Sequence, residues 1–221
     1  MLRQALAIFS KDLASELRTR YAINALIMFV VVTLAVIMFA LVGETLSPGA
    51  NVGMLWVVMF FAAMSGLSRG FVAEEERGTT MTLQLLASPS AVYLGKLLFN
   101  FVLVGALNIF IVLLFLITME NFSVAQPGLF WTVMLLGSMS MASATSIIAA
   151  IIAKANTKGT LFPVLSFPVL LPLLMAGIDA TRIAAEEKVW DNAWPDLQLL
   201  LSYLVVVTTV SFLLFHFVWK D

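Results

Sequence analysis

Six apolar stretches, each close to the length of a bilayer crossing, constrain this chain more than any other feature of its sequence. A helix needs roughly 20 apolar residues to cross about 30 Å of hydrocarbon. Residues 22–43, 53–71, 97–119, 128–152, 160–178 and 197–218 reach that length. The breaks between them are short and carry turn formers, as at Ser47-Pro48-Gly49, Gln126-Pro127-Gly128 and Lys158-Gly159. They leave no room for a separate soluble domain, so residues 1–221 are expected to form a single all-α integral membrane domain of six transmembrane helices. Composition agrees: 62% of residues are hydrophobic and 11% charged, against about half and about a quarter in soluble domains.

Lysine and arginine set the orientation, because they collect on the cytoplasmic side. With the N-terminus inside, ten of the twelve lie on cytoplasmic segments, leaving only Arg182 and Lys188 outside. Both termini are therefore expected in the cytoplasm. The start, Met1 to Arg20, is too long and too mixed in charge for a signal-peptide n-region, so the first apolar helix is expected to be retained. Trp56, Trp131, Trp190, Trp194 and Trp219 fall near span ends, as residues of a headgroup belt would.

Outside the spans, residues 2–18 repeat Leu2, Leu6, Phe9, Leu13 and Leu17 at helical spacing. Such a one-sided helix suits the membrane interface; the alternative is a cytoplasmic extension of the first span. Residues 73–96 carry Glu74-Glu75-Glu76, then Gly78 as a helix breaker and Thr79 or Thr80 as the cap of a new helix. Thr79, Leu83 and Leu86 share a face, and Ser88-Pro89 closes the helix after about two turns. Ser90 can cap the next helix, which enters the membrane near Lys96. A helix this short is marginal alone and calls for a docking surface; the alternative is a solvated loop. The outer segment 179–196 is acidic, with Asp179, Glu186, Glu187, Asp191 and Asp196. Its Ile183, Trp190 and Trp194 suggest a second interfacial helix closed by Pro195.

Within span four, Ser138, Ala142, Ser146 and Ala150 make a small-residue face for a neighbouring helix. Span five contains Pro163, Pro168 and Pro172, each lacking an N–H, and is expected to be kinked or locally unwound, as a hinge or pathway lining would be. Asn100 and Asn108 lie about 80° apart on the third span, placed to hydrogen-bond another helix or, less simply, to line a pathway.

No Asp, Glu, Lys or Arg occupies the middle of a span, which disfavours a self-energised ion- or proton-coupled transporter. The single histidine, His216, sits near the end of span six without a nucleophile beside it. No phosphate-binding Gly-x-x-x-x-Gly-Lys-Ser/Thr loop occurs, so any ATP would be hydrolysed by another subunit. The chain has no cysteine, which excludes thiolate metal sites and covalent haem attachment. No basic stretch points to nucleic acid.

Glu74–Glu76, Gly78, Leu83, Leu86, Pro89 and Gly95-Lys96 together resemble the cytoplasmic signature of ABC-2 type permeases. Within that group the chain is similar to the cytochrome c maturation protein B family of haem exporter permeases. Its length, its lack of a large outer domain and the proline-rich run Phe162–Pro172 carry that narrower likeness. The resemblance implies a non-catalytic permease of a bacterial inner membrane, paired with a cytosolic ABC ATPase that holds the ATP, as two permeases and two ATPases. It makes Glu74, Glu75, Glu76, Gly78, Thr79, Leu83, Leu86, Pro89 and Lys96 an ATPase-coupling segment. It also implies a haem-handling membrane protein and a haem chaperone as partners. Haem would then be substrate and not a resident cofactor, or ATP would drive release of loaded chaperone. The family often has an acidic residue just after the Gly-Thr/Ser-Leu turn, where Gly78-Thr79-Thr80-Met81-Thr82 is neutral; polar contact with the ATPase is expected from Glu74–Glu76 instead. An ABC-2 permease for a lipid, polysaccharide or drug, and a non-transporting membrane scaffold, are the alternatives.

Overall fold

Lipid cannot satisfy backbone polar groups, so a chain this apolar is left with helices that bond internally. The computed structural model describes residues 1–44, 46–67, 69–76, 78–119, 122–154, 161–186 and 190–220. In chain order its elements are α1 (Leu2–Thr19), α2 (Tyr21–Ala40), α3 (Pro48–Leu67), α4 (Arg69–Glu76), α5 (Thr80–Leu86), α6 (Pro89–Thr118), α7 (Pro127–Ala153), α8 (Leu161–Glu186), a 3-10 turn (Trp190–Ala193) and α9 (Trp194–Lys220). No strand occurs among the described residues. Six stretches of them are long and apolar enough to cross a membrane: α2, Pro48–Glu76, α6, α7, Phe162–Glu186 and Trp190–Trp219.

Several boundaries differ from the sequence reading. Pro89 begins α6 with Ser88 at its N-cap, so the proline opens the new helix where its missing N–H costs nothing. Residues 179–186 continue α8 instead of forming an interfacial helix, because Ala180, Thr181, Ala184 and Ala185 extend its buried face. The backbone N–H of Gln126 secures that end by donating to the Ala184 carbonyl at 2.9 Å. Pro195 is the second residue of α9, a start where a stop was expected. Glu187, Lys188 and the Lys158-Gly159 turn lie outside the described residues.

α7 is the centre of the bundle. Its small face Ser138, Ala142, Ser146 and Ala150 is buried and meets α6 in an antiparallel seam. Asn100 Nδ2 donates to Ser146 Oγ at 2.7 Å, and Asn108 Nδ2 donates to Ser138 Oγ at 2.8 Å. The eight-residue spacing of the asparagines matches that of the serines in reverse, which fixes the register. The opposite side of α7 meets α9, where Ser143 Oγ lies 2.7 Å from Thr208 Oγ1. Asn100→Leu keeps the branched shape and the number of side-chain heavy atoms but removes one seam bond. It is expected to destabilise the protein by about 1 kcal/mol, read as a lower thermal midpoint in detergent.

Trp56 and Trp219 do not belong to a headgroup belt: they are 0% and 5% exposed. Trp56 is wedged between α7 and α8, its Nε1 donating to Thr181 Oγ1 at 3.0 Å. Trp219 stacks on Phe215, with ring centroids 5.4 Å apart. Trp131, Trp190 and Trp194 are exposed as a belt requires.

α8 stays helical through Pro168 and Pro172, so the expected local unwinding is not seen. The proline at 172 deprives the preceding turn of a donor. The orphaned acceptor is the Pro168 carbonyl; one residue on, Tyr203 of α9 ties this part of α8 to its neighbour, its hydroxyl donating to the Val169 carbonyl at 2.8 Å.

Candidate functional site

Charge is scarce in this chain, so the place where it gathers and is buried marks the candidate site. α1 crosses the first turns of α6 at Gly95. A Cβ there would stand 2.7 Å from the Ala5 carbonyl oxygen and 2.8 Å from Ile8 Cβ, so only glycine allows the approach. The next residue, Lys96, is 3% exposed. Its ammonium donates to Asp12 Oδ2 of α1 at 3.0 Å, Glu74 Oε1 of α4 at 3.1 Å and the Gly70 carbonyl at 3.0 Å. Three donors thus meet three acceptors. Nζ also lies 5.4 Å from the Phe71 ring centre, a further favourable contact for a cation.

Glu74 is the second hub. It accepts from Lys96, from Lys11 of α1 and from the Thr79 hydroxyl. Lys11 pairs as well with Asp12 at 3.2 Å. Burial alone would lower the Lys11 pKa, but the bond to Glu74 and the charges of Asp12 and Glu74 raise it above its ordinary value. Lysine 11 is therefore firmly cationic at neutral pH. The network ties α1, α4 and α6 together, and through Thr79 it reaches the start of α5.

Gly78 takes φ +66°, the left-handed conformation glycine adopts without penalty. Thr79 sits at the N-cap of α5 but makes no cap bond to it. Its hydroxyl turns back to Glu74, and that of Thr80 to Glu75 Oε2 at 2.8 Å. α5 is held from beneath: Leu83 packs on the core, and Gln84 Nε2 donates to the Trp219 carbonyl at 2.6 Å. Met81, Leu85 and Leu86 are left 72%, 81% and 72% exposed.

The expected coupling residues thus converge on one end of the bundle but divide in role. Glu74 and Lys96 face inward, while Glu75, Glu76 and Leu86 face outward. Leu83 and Leu86 do not share a face: Leu83 anchors the helix and Leu86 joins Met81 and Leu85 outside. A cavity of about 540 Å³ opens beside the network, between α1, α2, α4 and α6, with Asp12, Glu16, Lys96, Asn100 and Leu26 in its wall. Pro168 and Pro172 face outward from α8, and none of the three prolines borders this cavity. Asn108 stays in the α6–α7 seam. Lys11, Asp12, Met81 and Leu85 were missed by the sequence reading. For Lys11 and Asp12 the signal was Ala5, Ile8 and Asp12 at helical spacing, opposite Gly95-Lys96; for Met81 and Leu85 it was their four-residue spacing on α5.

A comparison with curated proteins finds no match. The CcmB protein family matches residues 3–217, nearly the whole chain. That match and the six spans show a multi-pass membrane protein of haem-linked transport in cytochrome c biogenesis. The chain belongs to the CcmB family.

Proposed function

We propose that this chain is the non-catalytic permease subunit of an ABC transporter serving haem delivery to c-type cytochromes. ATP is hydrolysed by a cytosolic partner in a complex of two permeases and two ATPases. The observation that carries the reading is α5, a short helix fixed from below with Met81, Leu85 and Leu86 bare above. An apolar knob of this kind suits a groove on a soluble subunit, in the way amphipathic helices dock. Glu75 and Glu76 flank it and supply the polar rim. The excess of Lys and Arg on this side supports a cytoplasmic position for this end, and the membrane of the reading is a bacterial inner membrane. An interfacial α1 with Leu2, Leu6 and Leu17 turned to lipid is supported by their exposure, while Ala5 and Ile8 pack on α6.

In this reading ATP binding moves the docked α5, and the spans re-pack in response. Haem is substrate. A haem-handling membrane protein and a haem chaperone work on the outer face. The spans hold no histidine pair to ligate haem, which favours release of loaded chaperone over passage of haem through the bundle. Deleting the gene and staining membranes for covalently bound haem tests the role. Loss of staining, restored by the intact gene, is expected. Unchanged staining would overturn haem delivery and direct the search to lipids, glycans or drugs.

A further inference from the structure

A buried lysine is costly unless fully paired, and Lys96 is spent entirely on binding helices to one another. Two of its acceptors, Glu74 and the Gly70 carbonyl, belong to α4, while Asp12 belongs to α1. Lys11 adds a second α1–α4 link, and Gly95 lets α1 press against α6. α5 is tied to the same hub by Thr79 and to α1 by Gln4, whose Nε2 donates to the Leu86 carbonyl at 3.5 Å.

We propose that the Asp12–Lys96–Glu74–Lys11 network is a clamp that makes α1 travel with the ATPase-docking helix α5, so that Lys96, Asp12 and Lys11 are positioning residues of transport. The inference rests on the reading of α5 as the docking helix. Its consequence lies at the α1–α2 joint, a single residue, Arg20, at φ 54°. Among described residues it is the one non-glycine in the left-handed region. So short a link leaves little slack, and displacement of α1 is passed to α2. Those two helices form one wall of the 540 Å³ cavity, and α4 and α6 the other. α2 lines that cavity with Tyr21, Ala22 and Leu26, so motion of α5 reaches it through the clamped α1. Bonds from Lys96 and Lys11 replace a covalent link, and they hold because partial burial shields them from water.

Asp12→Asn combined with Lys11→Met tests this in the complete permease–ATPase complex. Both residues lie on α1, outside the exposed α5 face. The expected result is at least a tenfold loss of haem staining in c-type cytochromes. ATPase copurification and ATP hydrolysis by the reconstituted complex stay within twofold of the parent. Parental staining in the α1 double variant would overturn the clamp. So would loss of the ATPase together with function, because the residues would then serve docking or folding. Absence of ATPase from the parent complex would instead overturn the docking reading, so the two failures are distinct.

Discussion

Gly177→Ala is expected to be among the most destabilising single-methyl additions in the chain. A Cβ at position 177 would lie 2.5 Å from Trp56 Cζ2, well inside van der Waals contact. The indole cannot retreat, because a Cβ on Gly137 of α7 would lie 2.5 Å from Trp56 Cη2 on the other side. Nor can it rotate freely, because its Nε1 is bonded to Thr181, whose hydroxyl in turn donates to the Gly177 carbonyl at 2.6 Å. Overpacking a well-filled core costs about 1–3 kcal/mol, and a site walled by two backbones belongs at the upper end. The measurement is thermal unfolding in detergent, repeated in a Trp56→Phe background where the smaller ring leaves room. A fall of several degrees in the parent and a much smaller one in that background are expected. Equal losses in both would mean that the indole is not the obstacle.

The spans were legible because a run of about 20 apolar residues needs no phase to be recognised. What resisted reading was which way each helix turns. In water an apolar stripe marks the packed face. In a membrane small and polar residues pack together while large apolar ones face lipid. α1 shows the reversal: the stripe Leu2, Leu6 and Leu17 is exposed, and Ala5, Ile8 and Asp12 pack. Ser138 and Ser146 were readable as a packing face, and Asn100 and Asn108 as partners, because small and amide residues act the same way in either phase reading.

Rotation also decided the charged segment. Three consecutive glutamates look alike in sequence, yet only Glu74 lies one helical turn after Gly70 and faces Lys96. A spacing of three put Leu83 and Leu86 on one side of α5. The bonds of Thr79, Thr80 and Gln84 set the actual rotation, with Leu83 down and Leu86 up. The tryptophan at 56 failed for another reason: the belt rule is statistical, and nothing local announced the glycines that receive its ring.

Leu85→Asp is expected to remove the ATPase from the complex while the permease still inserts. Leu85 is 81% exposed and lies one turn from Met81 on a helix outside the core, so the substitution disturbs no internal contact. Anchor residues of an interface are worth about 2–4 kcal/mol each, and a carboxylate placed in an apolar groove adds a desolvation cost. Affinity should therefore fall by roughly two orders of magnitude or more, with haem staining of c-type cytochromes lost in parallel. Met81→Asp should behave alike. Leu83→Asp should differ in kind, because Leu83 packs on the core and its loss loosens α5 as well as the interface. Copurification of the ATPase with each variant, at matched membrane levels of permease, separates these outcomes. Full recovery of the ATPase with Leu85→Asp would show that the exposed side of α5 is not the docking face. The coupling role would then have to rest on Glu75 and Glu76, the two outward carboxylates beside it.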